Sequence, residues 1–208
     1  TLEGVPTAVS KGNNQLYVYH LQGTHTPVET ISEREQLKPK VTMMATDGSV
    51  LYGEGTYGWL KGTTTETLAT GSGRVTGGPG TMNSFRAEAQ GVASLLDNST
   101  NVEINQATLY LDNLGVVNRL QQQRPIHPLK PDWEILEGSR RRLHSCQVGT
   151  YHVKGHQTPK PSAPREVHMN NQVDELATKA HTQADHYSPI PTSYGILLYI
   201  NGEPITAV

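Results

Sequence analysis

Apolar runs in the middle of the chain predict three consecutive strands. Residues 41–47 form an apolar run that stops at an Asp-Gly-Ser sequence beginning with Asp47, the pattern of a buried strand that ends at a turn. Two further strand patterns, at residues 56–61 and 65–75, follow across glycine-containing turns. Because short links join the three patterns, the sequence predicts an antiparallel meander.

Helical periodicity begins after this meander. Residues 84–97 place Phe85, Ala89, Val92 and Leu96 on one apolar stripe, which predicts an amphipathic helix. The later patterns are strands at 107–112 and 147–154 and helices at 115–122, 132–143 and 173–184. Since helices and strands alternate here, right-handed crossovers must return the chain to the sheet. The sequence therefore predicts an α/β fold with a five-stranded mixed sheet, three antiparallel strands followed by parallel crossovers, and helices on both faces.

The two ends of the chain carry separate strand patterns. A strand pattern lies at residues 15–21, and two more, at 195–200 and 203–208, flank an Asn-Gly pair typical of a type I′ hairpin. We therefore expect three parts: an N-terminal extension or tail of a preceding domain at 1–40, a main domain at 41–186, and a C-terminal hairpin extension at 187–208. Because the chain begins with Thr1, it is expected to be a piece of a longer polypeptide.

Composition narrows the class of protein. No stretch approaches the roughly 20 apolar residues of a membrane span, so no membrane partner is expected. Cys146 is the single cysteine, which excludes an intramolecular disulfide and favours a reducing intracellular compartment, the cytoplasm or nucleus. The formal net charge of -2 argues against binding nucleic acid by electrostatics alone.

Four acidic residues stand out by their positions. Asp47 and Asp112 end strands that a crossover would place side by side, and Glu88 lies in the first turns of the intervening helix, at the rim of its buried face. Asp174 begins the last helix. Crowded carboxylates repel one another unless protons or cations neutralise them, and oxygen ligands suit Mg²⁺. The sequence therefore predicts a divalent metal site.

Five motifs in one order give the chain a family resemblance. The chain resembles the ribonuclease H type 1 family over roughly residues 41–185, and the sequence around Glu88 is similar to ribonuclease H domains of retroelement reverse transcriptases. The motifs are Thr46-Asp47-Gly48-Ser49, Phe85-Arg86-Ala87-Glu88-Ala89, Leu111-Asp112-Asn113, His152-Val153-Lys154-Gly155-His156 and Asn171-Gln172-Val173-Asp174-Glu175-Leu176-Ala177.

The resemblance implies a ribonuclease H-like fold and an endoribonuclease that cleaves the RNA strand of RNA/DNA hybrids with two Mg²⁺ ions, for which Mn²⁺ could substitute. Products with 5′-phosphate ends and a reverse transcriptase polymerase domain in the same polyprotein are implied too. The metal-binding carboxylates would be Asp47, Glu88, Asp112 and Asp174, with Asp47 bridging the ions. His156 would assist proton movement or product release. Substrate contacts would come from Gly48, Ser49, Ser84 and Asn113.

Two departures from the family leave alternatives open. The loop before Trp133 contains prolines and lacks a basic, tryptophan-rich substrate handle, and the loop after His156 is long and rich in proline. A catalytically silent ribonuclease H-fold module, structural or hybrid-binding, is one alternative. A related metal-dependent integrase or exonuclease is another, which the Val-Lys-Gly-His segment disfavours. Each acid by itself could equally be a helix-start or turn residue.

Overall fold

The computed structural model describes residues 6–11, 14–20, 40–76, 82–157, 159–182, 196–200 and 203–204, and only the backbone of the first two and last two ranges. The elements in chain order are β1 Pro6–Lys11, β2 Asn14–His20, β3 Met43–Leu51, β4 Glu54–Gly62, β5 Thr67–Arg74, α1 Ser84–Asp97, α2 Asn101–Ile104, β6 Thr108–Leu111, α3 Leu114–Leu120, α4 Trp133–Ser145, β7 Gly149–His152, α5 Arg165–Ala180, β8 Ile196–Ile200 and β9 Glu203–Pro204.

The chain divides into two compact units, one formed by Thr1–Lys38 with Thr192–Val208 and the other by Pro39–Pro191. In the first unit, four strands form one antiparallel sheet in the order β1-β2-β8-β9. The N-terminal strand and the C-terminal hairpin therefore share a sheet. The Asn-Gly turn expected at 201–202 lies outside the described residues, and the three-part domain division remains a prediction.

The second unit contains a five-stranded mixed sheet in the order β5-β4-β3-β6-β7. The first three strands pair antiparallel, whereas β6 and β7 run parallel to β3. This confirms the predicted sheet of three antiparallel strands followed by parallel crossovers, the arrangement that the family resemblance implies.

Helices cover both faces of this sheet, as predicted. A large core lies under α1, α3 and α4, where Leu95, Leu96, Leu109, Leu111 and Leu136 have no exposed surface. A smaller core lies under α5 and is formed by Met43, Ala45, Leu60, Met169 and Val173. Within the described residues, no helix has both the length and the apolar character needed to cross a bilayer.

The predicted end of the first strand at Asp47 is wrong, because β3 continues to Leu51. The Asp-Gly-Ser sequence does not form a turn here, since every residue from Met43 to Leu51 pairs with β4. The reversal comes at Tyr52 and Gly53, which both have positive φ angles, as a type I′ hairpin requires. Asp47 is therefore the fifth of nine strand residues.

The predicted start of the last helix is also wrong. Helix α5 begins at Arg165, directly after Pro164, so Asn171 is an interior residue and no cap. Proline directly before the first helical turn costs no hydrogen bond, because the first helical N–H groups have no partner in the helix. The first turns were missed because their sequence is polar, although Met169 and Asn170 are buried.

Two glycines allow helices to approach the sheet closely on opposite faces. A Cβ atom on Gly48 would lie 2.4 Å from the backbone nitrogen of Glu88 in α1. A Cβ atom on Gly58 would lie 2.5 Å from the carbonyl oxygen of Val173 in α5. Because neither space can hold a methyl group, both glycines fix the depth at which the helices present their acidic residues to β3.

Candidate metal centre

Three carboxylates meet at the carboxyl end of the parallel strands. One carboxylate oxygen from each of Asp47, Glu88 and Asp112 lies within 4.8 Å of the other two. Asp47 is 5% exposed and Glu88 only 2%, whereas Asp112 is half-buried. The expectation that Glu88 lies at the rim of the buried face of its helix is wrong, since its helix is buried on this side by the sheet.

Strand register explains why Asp47 and Asp112 meet. Strand β3 pairs in parallel with β6 from Met43, opposite Thr108, to Ala45, opposite Tyr110. Two more residues in the same register bring Asp47 opposite Asp112, which directly follows β6, as predicted. Side chains two residues apart in a strand share a face, so the register alone directs the two acids to one side of the sheet.

Glu88 reaches these two acids past the end of β6. Its Oε1 accepts a hydrogen bond from the backbone N–H of Asn113 at 3.4 Å, and Asn113 is the residue that caps α3. The side-chain amide oxygen of Asn83 accepts from the backbone N–H of Arg86 and thereby caps α1, which fixes the first turns of that helix. Glu88 is thus held by its own helix and by the backbone beyond β6.

The electrostatics of the cluster are those of crowded acids. Burial raises the pKa of Asp47 to about 8, and the charges of Asp112 and Asp174 add to this, against a hydrogen bond from the Gly48 N–H at 2.7 Å. Burial also raises the pKa of Glu88 well above its ordinary value, and the charges of Asp112 and Asp47 raise it further. Both acids therefore favour the protonated form until a cation offsets the repulsion.

Asp174 joins the cluster from α5, the helix that covers the face of the sheet to which Asp47 points, whereas Glu88 comes from α1 on the other face. It is half-buried in α5, and its charge and a side-chain hydrogen bond both raise the pKa of Asp47. It is not one of the three acids that lie within 4.8 Å of one another, nor one of the groups that act on Glu88. Asp47 is consequently the central acid, since it interacts with the charges of Glu88, Asp112 and Asp174.

The donor set fits hard divalent cations. None of the ion pairs between described residues includes Asp47, Glu88, Asp112 or Asp174. All candidate ligand atoms are carboxylate oxygens, which Mg²⁺ and Mn²⁺ prefer over nitrogen or sulfur.

The loop that carries His156 packs against this cluster. A Cβ atom on Gly155 would lie 2.3 Å from Oδ2 of Asp112, so the loop backbone touches the carboxylate. His156 follows with an exposed side chain and a positive φ angle of 52°. His152, at the end of β7, also approaches, because its Nε2 atom lies 3.0 Å from the backbone carbonyl oxygen of Asp112.

The four predicted substrate contacts occupy different surroundings. Gly48 and Ser49 are half-buried in β3, directly after Asp47. Ser84 is exposed at the start of α1. The side-chain oxygen of Asn113 accepts from the N–H groups of Gly115 and Val116 at the start of α3, which leaves its NH₂ group for other contacts.

Sequence reasoning missed two features beside the cluster. Arg86 is 1% exposed and pairs with Asp132 at 2.5 Å and Glu134 at 2.8 Å. His181, which no sequence motif singles out, hydrogen-bonds to side chains of both β3 and β4. The acidic partners of Arg86 and the hydroxyl partners of His181 lie between 46 and 132 residues away in the chain, so no local pattern indicates either feature.

A run of three arginines at 140–142 is typical of a solvated helix face, but two of its three members are not solvated. Arg140 is 5% exposed and donates to Glu137 and to the carbonyl oxygen of Gln122. Arg142 donates to the carbonyl oxygens of Leu96, in the last turn of α1, and of Ser99, just beyond it. Only Arg141 is solvated, so the run ties α4 to its neighbours.

No family model matches the chain, and no curated protein matches it. Among solved structures, it is similar to ribonuclease H1 of the halophilic archaeon Halobacterium salinarum, with 16% identity, 70% of this chain and 100% of that chain covered, and a TM-score of 0.48. It is also similar to the N-terminal ribonuclease H domain of a Mycobacterium tuberculosis protein, with 17% identity, 70% and 95% covered, and a TM-score of 0.47. A compost-derived ribonuclease H1 in complex with an RNA/DNA hybrid gives 14% identity, 68% and 96% covered, and a TM-score of 0.45.

Proposed function

We propose that this chain is an endoribonuclease of the ribonuclease H type, which hydrolyses the RNA strand of RNA/DNA hybrids with two divalent metal ions. The observation that carries the proposal is the cluster of buried Asp47, buried Glu88 and half-buried Asp112, whose carboxylate oxygens lie within 4.8 Å of one another and to which Asp174 adds a fourth charge beside Asp47. Burying mutually repelling acids destabilises a fold, so their joint burial favours a site that takes up cations.

The four carboxylates would hold the metals. Glu88 and Asp112 would ligate one Mg²⁺, Asp174 the other, and Asp47 both, with Mn²⁺ able to replace Mg²⁺. When bound, the ions activate a water molecule for attack on a phosphodiester and stabilise the leaving oxygen, which gives products with 5′-phosphate and 3′-hydroxyl ends. The described residues of the chain contribute the carboxylate positions, fixed by strand register and by the close approach of α1 at Gly48.

Residues around the cluster would select and move the substrate. Gly48, Ser49, Ser84 and Asn113 are close in the chain to three of the four acids and are proposed to contact the hybrid, and those among them that reach 2′-hydroxyl groups would distinguish RNA from DNA. His156 is exposed on a loop whose backbone touches Asp112, so its ring can reach water or product at the site. We assign it a role in proton movement or product release.

The wider setting is proposed from the sequence resemblance. The motif around Glu88 suggests a retroelement, with a reverse transcriptase polymerase domain in the same polyprotein and an intracellular location. A partner domain of this kind would supply positive surface that the chain, with its net charge of -2, has in small amount.

A cleavage assay tests the proposal. The chain is incubated with Mg²⁺ or Mn²⁺ and a labelled RNA/DNA hybrid, with duplex RNA and duplex DNA alongside. We expect cleavage of the RNA strand of the hybrid only, and its loss by at least about a thousand-fold in Asp112→Asn, because removing a charge from the metal ligands removes most of the rate acceleration.

Glu175→Gln is the matched control, since it neutralises an exposed acid next to Asp174 that contacts Lys179 and Asn171 of its own helix. It should cleave at the wild-type rate. Equal cleavage of all three duplexes would contradict the substrate assignment. If the hybrid is not cleaved even after a polymerase domain is added, the proposal that the chain is an endoribonuclease is contradicted.

A further inference from the structure

A histidine at the end of α5 joins two hydroxyl groups on neighbouring strands. The Nε2 atom of His181 lies 3.1 Å from Oγ of Ser49 in β3 and 3.1 Å from Oγ1 of Thr56 in β4. Thr56 is buried, and Ser49 and His181 are half-buried. Ser49 is two residues beyond Asp47 and faces the same side of the sheet, so this cluster borders the metal centre.

The directions of these hydrogen bonds follow from the acceptor that Thr56 uses. Its Oγ1 lies 2.7 Å from the carbonyl oxygen of Ala177, and because a carbonyl only accepts, Thr56 donates its single hydroxyl hydrogen there. Toward His181, Oγ1 of Thr56 can therefore only accept. The hydrogen in that contact must be on Nε2 of His181, which fixes the tautomer of the ring.

The fixed tautomer determines what Ser49 can do. With a hydrogen on Nε2, the ring nitrogen has no lone pair at that position, so Ser49 cannot donate to it and its oxygen accepts from it instead. Within the part of the chain that the structure describes, the Ser49 hydroxyl has no other hydrogen-bond partner. Its hydrogen is therefore available to an acceptor other than these residues.

We propose that His181 is a positioning residue that turns the Ser49 hydroxyl outward, so that Ser49 donates to a phosphodiester oxygen of the bound nucleic acid. This inference rests on the proposed function. A phosphodiester oxygen is an acceptor only, and most protein contacts to nucleic acids go to the backbone. Ser49 lies about 6.8 Å along the strand from Asp47, so the oxygen belongs to a nucleotide near the cleaved bond and not to that bond.

The surroundings of His181 support a neutral ring with one N–H group at this contact. Burial lowers its pKa, an effect that the charge of Glu54 opposes and that of Arg74 reinforces. Glu54 and Arg74 themselves pair at 3.2 Å, so neither charge acts on the ring alone. A neutral ring can hold Ser49 without bringing a charge next to the acidic cluster.

Steady-state kinetics on the hybrid test the role. In His181→Phe, which keeps the ring volume but removes the N–H group, we expect KM to rise about five-fold, the size of one lost hydrogen bond, with a much smaller change in kcat. Ser49→Ala should raise KM equally, and the double variant should be no worse than either single one, because both remove the same contact. His181→Gln, which retains an N–H donor, should restore most of the affinity. His168→Phe, in the same helix, is the control, since its ring makes no hydrogen bond within the described residues.

A second measurement reads the tautomer directly. The ¹⁵N chemical shifts of the His181 ring in the full chain should show the hydrogen on Nε2, and a hydrogen on Nδ1 alone would overturn the assignment.

Additive effects of His181→Phe and Ser49→Ala on KM, or an unchanged KM, would overturn the proposed role of His181 as well, while leaving the proposed enzyme activity intact. If a single 2′-deoxynucleotide in the RNA strand abolishes the effect of Ser49→Ala, the acceptor is a 2′-hydroxyl and the phosphate assignment falls. A wild-type chain that neither binds nor cleaves the hybrid would overturn both proposals.

Discussion

Helix α1 carries two buried charged residues, Arg86 and Glu88, in two different electrostatic settings. Arg86 is 1% exposed and donates to Asp132, to Glu134 and to the carbonyl oxygen of Thr76. Glu88 is 2% exposed, and the charged groups nearest to it are two further acids. The first charge is neutralised within the chain, whereas the second is repelled by its neighbours.

The same contrast appears in the pKa values of buried acids. Burial alone would raise the pKa of Glu137, yet it lies below its ordinary value because Arg140 and the backbone N–H of Ile126 donate to the carboxylate. The pKa values of Asp47 and Glu88 are raised instead. Burial raises the pKa of Asp132 as well, but there Arg86 opposes the effect. No cation opposes it at Asp47 or Glu88, which favours a site that a ligand completes.

Replacing Arg86, the cation that neutralises buried acids within the chain, should have the largest effect on stability. In Arg86→Met, Asp132 stays buried and Glu134 partly buried without a cation, so the free energy of unfolding should fall by about 3–5 kcal/mol. Urea denaturation followed by circular dichroism measures the change. Arg141→Met is the control, because that side chain is 62% exposed and its pair with Glu137 is 3.6 Å long. Its loss should be below about 0.5 kcal/mol. Similar losses in the two variants would erase the distinction between the sites.

The raised pKa values of Asp47 and Glu88 predict that the metal-free chain becomes less stable as pH rises. An acid whose folded pKa is raised binds its proton more tightly in the folded chain, so its contribution to stability is lost as pH rises through the folded pKa. For Asp47 this window extends from 3.8 to about 8. In EDTA, the free energy of unfolding should therefore fall by about 2 kcal/mol between pH 6 and pH 7.5 for each proton released.

Denaturation series at several pH values check this prediction. Saturating Mg²⁺ should remove the decline, since cations then take the place of the protons, and Asp47→Asn should reduce it. A metal-free chain whose stability is constant or increases over this range would show that the acids are compensated after all.

The sequence predicted the parts of this picture that depend on local patterns. The bounds of α1 and the position of Asp112 after β6 follow from apolar periodicity, because both elements bury a continuous apolar face. The sequence identifies Asp47 but predicts too short a strand around it, because pairing with β4 overrides the turn tendency of Asp-Gly-Ser. The predicted start of helix α5 is too late in the chain, because the first turns are polar and are stabilised by tertiary burial at Met169.

Long-range contacts could not be predicted in the same way. The burial of Glu88 depends on how closely α1 packs on β3. Gly48 allows this close packing, but the sequence does not show that Gly48 faces α1. The pairing of Arg86 with Asp132 depends on a left-handed backbone conformation at Asp132, with φ 59°, just before α4. The contact of His181 with Ser49 spans 132 residues. These features arise from packing and leave no periodic signal.

Metal binding gives the smallest of the expected effects and the most direct comparison between the two kinds of buried charge. At a Mg²⁺ concentration ten times its Kd, binding to the folded chain should raise the free energy of unfolding by about 1.4 kcal/mol, which thermal denaturation detects as an increase in Tm. The increase should vanish in Asp47→Asn, because Asp47 is the acid shared by both sides of the cluster. It should persist in Glu175→Gln, where an exposed acid on the same helix as Asp174 is lost. An equal Mg²⁺ response in both variants would mean that the ion binds elsewhere, and the uncompensated acids would then need another explanation than a metal.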